Sequence, residues 1–187
     1  PAWNPADRPL EVVFIGRFTE TKGPAVLIDA VRMLPRDAPI RVHFWSANAV
    51  PDTPYRRRLL ELISKDARLC APERVPQEAV IPRLAHMDVC VVPSIWLETG
   101  PLTVLEAFAA GVPVIGSDLG GICELVTPDR DGRLFAAGSA PDLAAELLRL
   151  VDDPAQLAAL TRGVRAPRTL ADVAADFVPV YEELSKR

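Results

Sequence analysis

Two cations near the start of the sequence lie where they could bind an anion. Arg17 and Lys22 belong to the run Gly16–Pro24, between an apolar stretch and a stretch of helical periodicity. The helix dipole disfavours a cation at the start of a helix unless an anion binds there too. With the free N–H groups of that helix end, the two side chains could clamp a diphosphate; alternatively, both are solvated surface charges.

A second stretch contains two carboxylates, Glu98 and Glu106, in a Glu98-x7-Glu106 arrangement. Pro101 and Gly111 mark the ends of a helix predicted at Leu102–Ala110, which is apolar nearly all round and is therefore expected to be buried. Glu106 is the only ionisable residue of this helix. Because an ionised carboxylate is costly to bury, we expect a cation, an N–H group or a ligand hydroxyl to satisfy it.

Backbone groups beside Glu98 could complete a site for an anion and for hydroxyl groups. Gly100 permits a ligand to approach the backbone closely, and the N–H groups of Leu102 and Thr103 have no partner within the predicted helix. A glycine pair farther along, Gly120–Gly121, is interpreted as turn chemistry rather than as a second place of close backbone approach.

The elements that must position these residues alternate between short apolar runs and longer amphipathic stretches. This alternation predicts an α/β fold, a doubly wound parallel sheet with helices on both faces. The six predicted strands are Glu11–Ile15, Ile40–Trp45, Ala67–Cys70, Val89–Val92, Val112–Gly116 and Arg133–Phe135. The predicted helices are Pro24–Leu34, Tyr55–Lys65, Gln77–Leu84, Leu102–Ala110, Ala140–Val151 and Pro154–Arg162. We expect the strand order 3-2-1-4-5-6, with ligands bound beyond the carboxyl ends of the strands.

The chain divides into a domain at 1–170 and a C-terminal segment at 171–187. The segment contains one further predicted helix, Ala171–Leu184, which carries an apolar stripe and follows a connector rich in Pro and Arg. This helix either braces the domain or crosses onto another one.

The composition of the 187-residue chain excludes several classes of protein. An apolar fraction of 49% with 25% charged residues is typical of a globular domain and excludes disorder for most of the chain. The net charge of −4 argues against binding of duplex nucleic acid. The three cysteines lie among apolar neighbours, which predicts free thiols in a reducing compartment. No membrane-spanning run or signal pattern is found, and the opening Pro1 suggests a fragment or a processed chain.

Taken together and in order, these motifs resemble the C-terminal half of a family 4 glycosyltransferase with the GT-B fold. The motifs are Gly16-Arg17, Lys22-Gly23, Glu98-x7-Glu106, Ala110-Gly111-Val112-Pro113, Ser117-Asp118, Gly120-Gly121 and Asp131-Gly132. The resemblance covers nearly the whole chain. It implies a Rossmann-like domain that binds a nucleoside-diphosphate sugar, UDP- or GDP-linked, and that serves retaining transfer of the sugar without a metal or other cofactor.

The resemblance also implies roles for the residues above. Arg17 and Lys22 would neutralise the donor diphosphate, and Glu106 would hold the ribose hydroxyls. Glu98 would be the catalytic residue in the sense that it contacts hydroxyls of the donor sugar near the reacting centre; no nucleophile is assigned. The backbone amides that would meet sugar or phosphate oxygens are those of Gly100, Leu102 and Thr103.

The sequence departs from the family pattern at three points. Ser46-Ala47-Asn48 stands where the family usually has a glycine pair, on the side of the nucleotide base. Glu98-Thr99-Gly100-Pro101 replaces the common Glu-Gly-Phe-Gly, so one amide donor is lost at the proline. The acceptor-binding N-terminal domain is absent, so the resemblance implies half of an enzyme. The segment 171–187 is expected to pack toward that domain, through which a glycan or lipid-linked acceptor would bind.

Two other functions stay open at this stage, namely half of a nucleotide-sugar 2-epimerase and a nucleotide-binding module without catalysis. His43 and His86 are interpreted as structural, since neither has partners at metal-ligand spacing. Trp96 either stacks in the cleft or fills the core. The cluster Arg56–Arg58 is interpreted as a solvated face, with contact to anionic lipid as the alternative. The expected location is therefore the cytoplasm, at the inner face of the membrane if that contact is made.

Overall fold

A six-stranded parallel sheet forms the centre of the computed structural model, which describes residues 3–46 and 51–185. Its strands are β1 (Leu10–Ile15), β2 (Ile40–Ser46), β3 (Glu73–Arg74), β4 (Val89–Val92), β5 (Val114–Ser117) and β6 (Gly132–Phe135). The order β3-β2-β1-β4-β5-β6 and the parallel pairing confirm the predicted doubly wound α/β fold.

Eight α-helices of the described part of the chain connect and flank the strands. They are α1 (Pro24–Met33), α2 (Pro54–Ile63), α3 (Gln77–Leu84), α4 (Leu102–Ala109), α5 (Gly121–Leu125), α6 (Ala140–Asp152), α7 (Pro154–Gly163) and α8 (Leu170–Leu184). Proline in the first turn starts several of them, because its fixed φ suits a helix and its missing N–H leaves no donor unpaired. The caps Thr53, Ser139 and Asp153 accept hydrogen bonds from first-turn amides.

Both faces of the sheet are covered, which explains the apolar strand sequences. One face packs against α1 and α6 through residues that include Val12, Phe14, Phe44, Leu27, Ile28, Leu143 and Leu147. The other face packs against α3, α4 and α5 through residues that include Val13, Trp45, Val80, Leu84, Val104, Ala107 and Ile122. The loops at the carboxyl ends of the strands are therefore carried by a rigid two-sided core.

Two elements differ from the sequence-based prediction. The third strand is Glu73–Arg74 and not Ala67–Cys70, where Leu69 forms only an isolated parallel bridge with Val42. The prediction followed the apolar character of Ala67–Cys70, whereas the actual edge strand consists of two exposed polar residues. Helix α5 was not predicted, since five residues that begin at Gly121 give too short a periodic signal.

Helix α8 forms where a C-terminal helix was predicted, but it buries no side chain. A capping box between Thr169 and Asp172 fixes its start. Its apolar residues are largely exposed: Leu170, Val173, Phe177, Val178, Val180, Tyr181 and Leu184. A brace onto this domain is therefore wrong, since the stripe lacks a cover within the described residues. Over that same part of the chain, no helix is long and apolar enough to cross a membrane.

Candidate functional site

A cavity of about 200 Å³ lies at the carboxyl ends of β1 and β4. It is lined by Phe14, Ile15, Lys22, Val92, Pro93, Ser94, Glu98, Gly100, Pro101, Leu102 and Thr103. Five of the seven predicted site residues thus come together, whereas Arg17 and Glu106 lie outside this lining. The position agrees with the rule that open parallel sheets bind ligands at this edge.

The loop after β1 is held to the core by an aromatic side chain. Phe18 is buried and packs edge-on against Phe14 and Phe44, with ring centroids 6.1 Å and 5.6 Å away. A 3₁₀ turn at Glu20–Lys22 follows, and Gly23 then adopts a φ of 67° as the N-cap of α1. A Cβ at Gly23 would lie 1.9 Å from the carbonyl oxygen of Pro93, so only glycine lets the two loops of the cavity meet.

Lys22 and Glu98 form an ion pair inside this cavity. The Lys22 Nζ lies 2.6 Å from Glu98 Oε1, and the Ser94 hydroxyl lies 2.6 Å from the same oxygen. Burial raises the pKa of Glu98, but the hydrogen bonds from Lys22 and Ser94 and the charges of Lys22 and Arg17 lower it by more. With its pKa below the usual range, Glu98 is ionised near neutral pH and accepts hydrogen bonds rather than donating them.

The backbone of Glu98 is held by the glycine pair Gly120–Gly121. The Gly121 N–H donates to the Glu98 carbonyl oxygen at 2.6 Å, and a Cβ on Gly121 would lie 2.7 Å from that oxygen. Gly120 has a φ of 55° and forms the N-cap of α5. The positive φ of Gly120 agrees with the interpretation as turn chemistry, and Gly121 in addition permits two loops to pack backbone against backbone.

The start of α4 presents unpaired backbone donors to the cavity. Pro101 is its N-cap and supplies no side-chain hydrogen bond, and the N–H groups of Leu102 and Thr103 lie in the turn that lacks intrahelical acceptors. A Cβ at Gly100 would meet no atom within 4 Å, so this loop is open to a ligand. Backbone N–H groups and the helix dipole together favour an anion here.

Glu106 lies one turn farther along α4 and is half-buried. Its Oε1 accepts a hydrogen bond from the side-chain amide of Gln77 at the start of α3. The expectation of a buried helix is wrong for the first turn, where Leu102 is 69% exposed. Of the partners considered for Glu106, the described residues supply an N–H group, that of Gln77, and no cation. Sequence reasoning missed Gln77, because the contact joins two helices.

The other residues that the sequence analysis singled out have the following surroundings. Arg17 is exposed, and no hydrogen bond or ion pair of its side chain is found among the described residues. Trp96 is 64% exposed, so it does not fill the core. His43 is a strand residue whose Nε2 lies 2.7 Å from Glu11 Oε2, which agrees with a structural role. Ala47 and Asn48 lie outside the described residues. Within the described ranges, no cluster of His, Cys, Asp and Glu is arranged to hold a metal ion.

A larger cavity, of about 860 Å³, lies at the opposite, amino-terminal edge of the sheet. Four of its side chains form two pairs: Arg8 donates to both oxygens of Asp88, and Glu11 contacts His43. These pairs fasten the strands at that edge. The 200 Å³ cavity is the better candidate because it combines the Lys22–Glu98 ion pair with the N–H groups of the α4 N-terminus at the ligand-binding edge.

The chain is thus a Rossmann-like α/β domain whose cavity at the carboxyl ends of the strands contains an ion pair beside a helix N-terminus. The chain belongs to the glycosyl transferases group 1 family, whose model matches residues 1–166. It is 37% identical over 150 residues to a D-inositol 3-phosphate glycosyltransferase of Corynebacterium aurimucosum, covering 76% of this chain and 35% of that protein. The chain spans about a third of the length of the curated relatives it matches.

Two solved structures illustrate the likeness in fold. Anabaena Alr3699/HepE in complex with UDP superposes with a TM-score of 0.79 at 22% identity, covering 96% of this chain and 50% of that one. The C-terminal domain of a group 1 glycosyltransferase (LpcC) from Francisella tularensis superposes with a TM-score of 0.71 at 21% identity, covering 86% of each chain. The Rossmann-like fold is thus shared with both.

Proposed function

We propose that this chain is the donor-binding half of a retaining, metal-independent family 4 glycosyltransferase. It would bind a nucleoside-diphosphate sugar, UDP- or GDP-linked, whose sugar is moved to a glycan or a lipid-linked acceptor. The observation that carries the proposal is the pairing of Lys22 with Glu98 in a cavity that also contains the free N–H groups of α4. The Lys22 ammonium and the N-terminus of α4 suit a diphosphate, and the Glu98 carboxylate suits the hydroxyls of such a donor.

Lys22 is the first element of the diphosphate site. An ammonium group has three N–H donors, and the contact with Glu98 occupies one of them. Two donors therefore remain for phosphate oxygens, beside the amides of Gly100, Leu102 and Thr103. Arg17 is exposed and makes no hydrogen bond or ion pair within the described part of the chain, so it can turn toward the diphosphate at little cost. Fixed backbone dipoles and cations would stabilise the leaving diphosphate in place of a metal.

Glu98 is assigned to the donor sugar. Its Oε1 is occupied by Lys22 and Ser94, and no donor to Oε2 is found in the described parts of the chain. An ionised carboxylate oxygen is a strong acceptor for sugar hydroxyls. Because the pKa of Glu98 is lowered, the group would act by binding and charge rather than as a proton donor.

Glu106 is assigned to the ribose. Gln77 donates to one of its oxygens, which fixes the carboxylate and leaves the second oxygen for ribose hydroxyls. The complexes of the Anabaena structural neighbour with UDP and with UDP-glucose support a uridine nucleotide as the donor base.

The apolar face of α8 is assigned to the acceptor-binding domain. Phe177 and Tyr181 are 54% and 69% exposed, and packing against another domain would remove their rings from water. The partition into 1–170 and 171–187 follows from this role. The three free cysteines support a reducing compartment such as the cytoplasm, and the exposed arginines of α2 would face anionic lipid if the acceptor is lipid-linked.

The test of the donor site is a calorimetric titration of this chain with UDP in the presence of EDTA. We expect binding without metal, and we expect Lys22→Ala to weaken it by about 1.5–3 kcal/mol, the range for hydrogen bonds to charged groups. Arg17→Ala should act in the same direction. The control is Lys65→Ala, which removes a lysine outside the cavity. Loss of binding on chelation, or equal affinities for all variants, would contradict the proposal.

A nucleotide-binding module without catalysis would give the same result in that titration. Turnover separates the two functions, and it requires the acceptor domain. Transfer of radiolabelled sugar by the chain joined to its N-terminal half, abolished by Glu98→Gln, is the expected result. Binding of UDP without sugar transfer to any acceptor tested would favour the nucleotide-binding module.

A further inference from the structure

Ser94 is a buried residue of the cavity lining, and none of the roles above uses its hydroxyl. Ser94 follows β4 directly after Pro93 and is 1% exposed. Its Oγ lies 2.6 Å from Glu98 Oε1 and 3.1 Å from the carbonyl oxygen of Thr21. Thr21 immediately precedes Lys22 in the chain. One buried hydroxyl therefore touches both loops that supply the ion pair.

The hydroxyl has two acceptors but a single proton. A serine O–H donates one full hydrogen bond at a time, and the carboxylate is both nearer and charged. The loop contact does not depend on this proton, because the Ile95 N–H also donates to the Thr21 carbonyl oxygen, at 2.9 Å. The chemistry thus directs the Ser94 proton to Glu98.

The consequence concerns the orientation of the carboxylate. Lys22 alone would hold Glu98 through a flexible four-carbon stem that permits several geometries. Ser94 sits on a backbone fixed by β4 and adds a second donor to the same oxygen. Two donors on Oε1 from different directions fix the carboxylate plane, and Oε2 is then the oxygen left for a ligand.

We propose that Ser94 is a positioning residue, whose hydroxyl orients Glu98 so that Oε2 accepts a hydrogen bond from a hydroxyl of the donor sugar. This inference rests on the proposed function, since it requires Glu98 to bind the sugar. Ser94 itself touches neither sugar nor diphosphate. The same hydrogen bond stabilises the ionised form of Glu98, consistent with the lowered pKa of that group.

The experiment compares the affinities for UDP-glucose and UDP, so that contributions of base and diphosphate cancel in the ratio. The variants are Ser94→Ala, Ser94→Cys and Glu98→Gln, measured by calorimetry with thermal melts to verify folding. The matched control is Ser117→Ala, since Ser117 is equally buried at the end of β5 but its hydroxyl has no hydrogen-bond partner among residues 3–46 and 51–185. Ser94→Cys keeps nearly the same volume with a weak donor, so it carries the test if Ser94→Ala does not fold.

We expect Ser94→Ala to lower the UDP-glucose to UDP affinity ratio by about threefold to tenfold, the net scale of one typical hydrogen bond. Ser94→Cys should lower it in the same direction, Glu98→Gln by at least as much, and Ser117→Ala not at all. The ratio should also fall on acidification, as Glu98 becomes protonated. In Ser94→Ala that fall should occur at higher pH than in the wild type, an effect that a merely structural role would not produce.

The possible outcomes distinguish a failure of the Ser94 inference from a failure of the proposed function. If Glu98→Gln lowers the ratio while Ser94→Ala matches the wild type in ratio and pH profile, the positioning role is overturned and the proposed function stands. If Glu98→Gln leaves the ratio unchanged, or if UDP-glucose and UDP both fail to bind the wild-type chain, the proposed sugar site fails and the Ser94 inference fails with it.

Discussion

Replacing Glu106 with glutamine separates a ribose-binding role from a structural one. The substitution keeps the size of the side chain and removes one charge. The structure shows that the partner of Glu106 is the amide of Gln77 and not a cation. A glutamine oxygen at the same place can still accept from Gln77, so we expect the free energy of unfolding to change by less than about 1 kcal/mol.

The effect on ligand binding should be larger. Ribose hydroxyls donate to a carboxylate oxygen in charge-assisted hydrogen bonds, which an amide replaces poorly. We therefore expect Glu106→Gln to weaken UDP by roughly 1–3 kcal/mol, or about 5- to 150-fold in the dissociation constant. Inorganic pyrophosphate should bind both proteins equally, because it lacks the ribose.

The assay is a pair of titrations, with UDP and with its 2′,3′-dideoxy analogue, supported by thermal melts. The control is Glu61→Gln, which removes the same charge from α2, outside the cavity. Loss confined to UDP is the expected result. Equal losses for UDP and the dideoxy analogue would refute the ribose role, and a large drop in melting temperature would show that the Gln77 contact is structural.

Three further predictions follow from the same geometry. Gly121→Ala should lower the free energy of unfolding by about 1–3 kcal/mol in urea denaturation, because the added Cβ would clash with the Glu98 carbonyl oxygen. Gly100→Ala is the control and should not destabilise the fold, because its Cβ would meet no atom within 4 Å. Equal effects of the two substitutions would refute the packing argument. Because the pKa of Glu98 is lowered in the folded protein, its contact with Lys22 contributes stability above the pKa of an unfolded glutamate, and this contribution is lost as the pH falls through the folded pKa. The difference in unfolding free energy between wild type and Glu98→Gln should therefore shrink on acidification. A constant difference across pH would argue against an ionised Glu98. The 187 residues alone should transfer no sugar in a radiolabel assay, because the acceptor is not oriented without its domain; transfer by the purified chain would overturn the half-enzyme proposal.

The sheet was predictable because buried parallel strands require continuous apolar runs. Five of the six strands were found from such runs, whereas Glu73–Arg74 is an exposed edge strand with no apolar signal. The short helix α5 was missed for a similar reason, since a single turn and a half has no period to detect. Local pattern thus predicts elements that bury much surface and misses those held by a few backbone hydrogen bonds.

Five of the residues that line the candidate cavity were predicted from the sequence, but the contacts between them were not. Lys22 and Glu98 were each placed at the carboxyl edge of the sheet, yet their ion pair joins positions 76 residues apart. The Ser94 contact with Glu98 and the packing of Gly121 against the Glu98 loop depend in the same way on how β1, β4 and β5 bring their loops together. Sequence periodicity places residues on elements, and only the three-dimensional arrangement decides which side chains meet.

The central claim is that the nucleotide diphosphate binds at the carboxyl ends of β1 and β4. Backbone NMR of the isotope-labelled chain, titrated with UDP in the presence of EDTA, tests this claim most directly. We expect the largest amide shift changes at Gly100, Leu102 and Thr103, which line the cavity and whose N–H groups have no acceptor among the described residues. Changes centred on Asp88 and the 860 Å³ cavity at the opposite edge, or none at all, would contradict it.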